Sequence, residues 1–129
     1  MKKLLAASLC MIIFLSTPIN SYASEVRVTA NPRFTYISEY AMSLTAENGN
    51  ASIYAYLGSK DSSLNCYIKC NLEKLMGTYW MQMKSFESNG IGATAFGVNH
   101  PIDRGTYRVM GTFRINNEIQ TAYTGNQTY

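Results

Sequence analysis

The chain has 129 residues, of which 47% are hydrophobic and 15% charged, with a formal net charge of +3. That length suits a single domain. After Lys2-Lys3 the lysines and arginines are scattered singly, which argues against the basic cluster of a nucleic-acid footprint. One His and three Cys are poor material for a zinc site, which usually needs four N or S ligands.

Met1-Lys2-Lys3 opens the chain with positive charge, and residues 4–16 form an uncharged apolar run. Pro18 and Asn20 break that run, and Ser21 and Ala23 supply small residues for cleavage before Ser24. This order is that of a secretory signal peptide, and the run is shorter than the roughly 20 residues of a membrane span. Residues 1–23 are therefore expected to leave, and residues 24–129 to form one secreted domain. Lys2 and Lys3 go with the leader, so nine basic residues face eight acidic ones.

Short runs rich in Tyr, Ile, Val and Thr follow, punctuated by Gly, Asn and Ser. Residues 34–37 and 42–46 read as one or two strand pieces, with Met42, Leu44 and Ala46 on one face. Asn48-Gly49 is the strongest hairpin signal, since this pair tolerates the positive φ of tight turns. The return strand alternates Ala51, Ile53, Ala55 and Leu57 against Ser52, Tyr54 and Tyr56, the pattern of a half-buried strand. Residues 65–72 alternate Cys66, Ile68, Cys70 and Leu72 against Tyr67, Lys69 and Asn71. Residues 79–86 form a further strand carrying Trp80, closed by Ser88-Asn89-Gly90. Residues 91–98 are Gly- and Ala-rich and make a weaker strand. Residues 106–115 alternate Tyr107, Val109, Gly111, Phe113 and Ile115 against Arg108, Met110, Thr112 and Arg114. Asn116-Asn117 reads as a hairpin tip, residues 118–124 as its return, and residues 125–129 as a fraying end. About seven short strands in roughly 100 residues predict an all-β antiparallel sandwich, with a partly open barrel as the alternative.

The segment Asp103-Arg104-Gly105-Thr106-Tyr107-Arg108-Val109 resembles the tyrosine corner of immunoglobulin-like sandwiches, in which a phenol hydroxyl ties a strand start to upstream backbone. Val109 stands where antibody domains place a Cys, so the inter-sheet disulfide is not part of the resemblance. Trp80 resembles the buried inter-sheet Trp of such domains. More broadly, Arg33-Phe34-Thr35-Tyr36-Ile37, Gly49-Asn50-Ala51, Ile68, Leu72, Trp80 and Gly105-Thr106-Tyr107-Arg108-Val109 resemble a family of small secreted proteins of Gram-positive anaerobes. That resemblance implies a sandwich-like fold and a bacterial extracellular setting, and it carries no functional residues over.

Candidates for chemistry are few. Cys66 and Cys70 lie four apart on a predicted strand, about 13 Å between Cα atoms, whereas a disulfide spans about 4.4–6.8 Å. Two buried thiols are the expectation; a bridge across a bulge and an intermolecular bond are the alternatives. A Cys nucleophile needs a base, and the one His, His100, sits in a loop before Pro101 while both thiols face the core. The eight carboxylates are spread over separate turns and edges, so no catalytic pair is visible. No catalytic, cofactor or metal residue is assigned. The outward tyrosines Tyr54, Tyr56 and Tyr67 are the candidate contact residues: on neighbouring strands they would form an aromatic patch for sugars or a protein. The alternative is ordinary cross-strand Tyr pairing on a solvated face. The expected function is a secreted, non-enzymatic binding module for a protein or carbohydrate at the cell surface, with no nucleic acid and no membrane after leader cleavage. A small secreted effector such as a bacteriocin-like toxin or inhibitor is the alternative.

Overall fold

The two-residue alternation is realised as strand along most of the chain. The computed structural model describes residues 24–29 and 33–129, so the expected leader over residues 1–23 lies outside the described residues. Among the described residues there is no helix. The strands are β1 (Ser24–Thr29), β2 (Ile37–Glu47), β3 (Asn50–Ser59), β4 (Asn65–Met76), β5 (Tyr79–Ile91), β6 (Ala93–Pro101), β7 (Thr106–Ile115), β8 (Glu118–Tyr123) and β9 (Gln127–Thr128). They form two antiparallel sheets, one ordered β1-β2-β3-β6 and the other β5-β4-β7-β8 with β9 added to β7.

The order explains why the domain is a sandwich. Strands β3 and β6 are neighbours in the first sheet, and β4 and β7 are neighbours in the second. The chain crosses between sheets from β3 to β4 and again from β6 to β7. This interlock is that of the B, C, E and F strands of immunoglobulin-like domains. No strand corresponds to D among the described residues; Gly92 alone carries the chain from β5 in one sheet to β6 in the other. Its φ of 78° and the 2.9 Å that would separate an added Cβ from the Ser62 carbonyl make glycine the residue for this corner. The ends expected at Ser88-Asn89-Gly90 are therefore corrected: β5 runs through them to Ile91.

The expected apolar faces meet between the sheets. Met42 and Leu44 of β2 and Ile53 and Leu57 of β3 lie against Ile68 and Leu72 of β4 and Val109, Phe113 and Ile115 of β7. Each fully buried aliphatic or Phe side chain contributes about 1.5–3 kcal/mol. Tyr40 stacks on Phe113 across the interior with centroids 4.6 Å apart. The β2–β3 hairpin turns at Asn48 and Gly49, with φ of 52° and 75°, the positive values that favour Asn-Gly in a tight turn. Tyr107 is buried at the start of β7, and its hydroxyl donates to the Asp103 carbonyl at 2.8 Å. The tyrosine corner is present.

Three expectations need correction. Among the described residues the strands number nine rather than about seven, because β1 adds at the edge of the first sheet and β9 near residue 129. Residues 125–129 do not fray: Thr128 and Gln127 pair with Thr106 and Tyr107, and Tyr129 exchanges two backbone hydrogen bonds with Gly105 at 2.9 and 3.0 Å. Trp80 is not an inter-sheet core residue. A register shift between β4 and β5 at Leu72/Glu73 inserts Met83 as an extra residue, so Trp80 pairs with Leu75 on the outer face. A one-residue shift flips every later side chain to the other face.

Glu118 has a role that its place in the sequence does not reveal. Its carboxylate accepts the backbone N–H groups of Thr35, Tyr36 and Ile37 at 2.8, 3.1 and 2.8 Å. The Lys60 ammonium donates to the Phe34 carbonyl beside them. The segment entering β2 is thus tied to the first residue of β8 in the opposite sheet. Burial pushes the Glu118 carboxyl up, but the three N–H donors and the Lys60 charge outweigh it and hold it below its ordinary 4.5.

Two stability outcomes follow from these ties. Tyr107→Phe is expected to lose about 1 kcal/mol, the net worth of one hydrogen bond, seen as a melting temperature lower by roughly 4–8 °C. Glu118→Gln is expected to lose about 2 kcal/mol at neutral pH, because charge-assisted bonds become neutral ones. The folded carboxyl titrates below the unfolded one, so its contribution is complete above the ordinary value and is lost as pH falls through the folded value. Melting curves of wild type and Glu118→Gln should therefore converge in acid; a constant gap across pH would remove the role assigned to the charge.

Candidate binding face

Strand β3 sends Ala51, Ile53, Ala55 and Leu57 into the core, which leaves Ser52, Tyr54 and Tyr56 on the outer face of the first sheet. Tyr67 of β4 is on the outer face of the second sheet. The chain has crossed between sheets in residues 60–64, so the two outer faces point in opposite directions. The patch expected from Tyr54, Tyr56 and Tyr67 together therefore does not form. Tyr54 and Tyr56 remain together, and Tyr67 is separated from them by the whole thickness of the core.

The cross-strand partners of the two remaining tyrosines are small. Tyr54 stands between Ser43 of β2 and Gly97 of β6, and Tyr56 between Ala41 and Ala95. Neither ring has an aromatic partner directly across the strand, so the cross-strand Tyr pairing considered for this face is absent. Tyr56 is held down: the space over Gly58 is taken by its ring and hydroxyl, which would lie 2.7 Å from an added Cβ. Burial, and then the charge and hydrogen bond of Glu39, push its phenol pKa up, so the hydroxyl stays protonated as a donor to that carboxylate. Tyr54 is 46% exposed.

Two shallow depressions flank Tyr54. One, of about 330 Å³, is lined by Ser43, Thr45, Ser52, Tyr54, Gly97 and Asn99 among others. The other, of about 230 Å³, is lined by Arg27, Glu39, Ala41, Tyr54 and Tyr56. In the first, the Ser52 hydroxyl donates to Asn99 Oδ1 at 2.7 Å. Above Gly97 the space is open, with nothing within 4 Å of an added Cβ.

The outer face of the second sheet treats its aromatics differently. The Arg108 guanidinium lies 4.2 Å from the Trp80 ring centroid and 4.6 Å from that of Tyr123. It also pairs with Glu73 at 2.8 Å, where both side chains are largely shielded from water. Arg114 sits over Tyr67 at 4.7 Å. Trp80, Tyr123 and Tyr67 thus each offer a ring face to an arginine of β7, a contact worth about 0.5–2 kcal/mol as desolvation increases.

The thiols occupy the interior. Cys66 and Cys70 are buried, free, and on one face of β4 with unbroken register between them. Burial pushes the Cys66 thiol up and that of Cys70 up to about 12. A thiol so placed stays protonated and unreactive at neutral pH. His100 lies on β6 with its ring edge-on to Phe86 at 6.0 Å, in the same element as Pro101. It was expected in a loop; here it is the penultimate residue of a strand. Among the described residues, no group of three or more His, Cys, Asp or Glu side chains is placed to hold a metal ion.

No protein-family model, curated protein or solved structure matches the chain.

Native protein at pH 8 is expected to resist iodoacetamide at Cys66 and Cys70, and both should react once it is unfolded. Mass spectrometry reads this directly. Alkylation of either thiol in the native state, or a dimer lost on reduction, would contradict their burial.

Proposed function

We propose that the domain is a secreted, non-enzymatic binding module acting at the bacterial surface or outside the cell, and that the outer face around Tyr54 and Tyr56 is its contact surface. One observation carries this reading. Tyr54 stands between Ser43 and Gly97 with a depression on either side of its ring, whereas Trp80, Tyr123 and Tyr67 of the opposite outer face each have an arginine of β7 over the ring. Tyr54, 46% exposed and flanked by two open depressions, leaves ring surface that folding does not use. It is suited to a ligand, since Tyr offers a large amphipathic surface at low entropic cost.

A pull-down from cell-surface material tests the reading. Tyr54→Ala with Tyr56→Ala should release the captured component. Tyr54→Ala alone is expected to cost about 2 kcal/mol of binding, roughly 30-fold in Kd. Because Tyr54 packs on nothing large, that single substitution should change stability by no more than about 0.5 kcal/mol. Unchanged capture by the double variant would sink the proposal.

A further inference from the structure

Resting on the reading of this face as a contact surface, we infer that its ligand is a neutral glycan chain lying along β3, with sugar rings seated in the depressions on either side of Tyr54. The first argument is chemical. The larger depression is walled by the hydroxyls of Ser43, Thr45 and Ser52 and the amide of Asn99. These groups both donate and accept, as sugar hydroxyls do. Because Ser52 donates to Asn99 Oδ1, the amide NH2 is turned away from Ser52 and presented as a donor.

The second argument is electrostatic. The larger depression has no charged group in its lining, and the smaller has one of each sign, Arg27 and Glu39. An anionic polymer would meet Glu39, and a cationic one Arg27. A neutral chain meets neither penalty, and both groups remain able to hydrogen-bond its hydroxyls.

The third argument is shape. Tyr54 and Tyr56 are two residues apart on one strand, about 6.6 Å, and the depressions lie on either side of Tyr54, the larger reaching to β6 and the smaller to β1. The negative face of a Tyr ring attracts the partly positive C–H groups on the flat side of a pyranose. A small apolar ligand would need a cavity that buries 70–90% of its surface (roughly), which two open depressions do not provide. A protein partner would call for an apolar centre in which Tyr, Trp, Phe, Met and Arg are enriched and Ser and Ala depleted; Tyr54, Tyr56 and Arg27 fit that set, but no Trp, Phe or Met accompanies them in either lining. The outward positions of β2 are Glu39, Ala41, Ser43 and Thr45, and those of β6 include Ala95, Gly97 and Asn99.

Affinity electrophoresis of the purified protein in gels containing a soluble β-glucan, a galactomannan, a xylan or heparin tests the inference. At least one neutral polysaccharide should retard the wild type, and about 0.5 M salt should barely weaken that retardation. Tyr54→Ala should weaken it by at least roughly tenfold. Gly97→Leu fills the open space of the larger depression without touching the fold, and should weaken it to a similar degree while the melting temperature holds. Tyr67→Ala, on the opposite face, should leave it unchanged. No retardation by any neutral polysaccharide, retardation by heparin alone, or binding indifferent to both Tyr54→Ala and Gly97→Leu would overturn the inference. If the neutral polysaccharides fail while Tyr54→Ala still releases a protein from the cell-surface pull-down, the ligand is a protein and the module reading survives. If both experiments fail, both readings fall.

Discussion

The two-residue period of a strand, locked by burial of one face, sets nearly everything else in this domain. Once Ile53, Ala55 and Leu57 are committed to the core, Ser52, Tyr54 and Tyr56 have no choice of side. A slip of one residue in β3 would expose three apolar side chains and bury two phenols. The register against β2 and β6 is therefore held by several kilocalories per mole of burial, about 1.5–3 for each large aliphatic residue. The outer face inherits that rigidity without contributing to it. Residues there are free to be chosen for what they touch outside the molecule.

The two outer faces use that freedom in opposite ways. On the second sheet four of the five strands are bridged by one assembly: Trp80 of β5, Glu73 of β4, Arg108 of β7 and Tyr123 of β8. Arg108 satisfies its charge on Glu73 while its guanidinium also lies over the rings of Trp80 and Tyr123. The stem and plane of an arginine make such a contact better than a lysine can. That assembly engages its aromatics within the molecule, while Tyr123 and Ile119 keep 47% and 54% of their surface exposed. The first sheet has no equivalent assembly around Tyr54, and the small Ser43 and Gly97 beside it leave ring surface that folding does not use. The contrast between the faces, more than the count of tyrosines, points to the first sheet as the one that meets a ligand.

Most of the core was legible in the sequence because alternation survives translation into structure almost unaltered. The apolar sets of β2, β3, β4 and β7 are those read from the chain, and Tyr107 sits at its corner as the Asp103 to Val109 segment implied. What alternation cannot report is which sheet a strand joins. Tyr54 and Tyr67 are both outward, yet the crossing at residues 60–64 sends them to opposite sides. Trp80 shows a second limit: the extra residue Met83 inverts parity within β5, and nothing local marks it, since neither Gly nor Pro stands there. Glu118 shows a third, because its three N–H partners are more than 80 residues away in sequence. β1 was missed for a simpler reason. It is an edge strand whose outward residues are charged, and only Val26 and Val28 pack against the core.

A face built this way has a definite thermodynamic character. Tyr54 and Tyr56 stand on the central strand pair of a sheet whose edges are β1 and β6, so a ligand finds them preorganised and little ordering entropy is lost on contact. The same flatness limits how much surface a ligand can bury, because open depressions cover only one side of it. Single contacts on such a face are therefore weak, and their strength must come from repetition. A polymer supplies repetition without any change in the protein: when one unit leaves the depressions beside Tyr54, the next is already at high local concentration. The proposed glycan chain and the shallow, rigid, charge-balanced face thus explain each other, since a deeper pocket would admit a chain end but not a chain passing through.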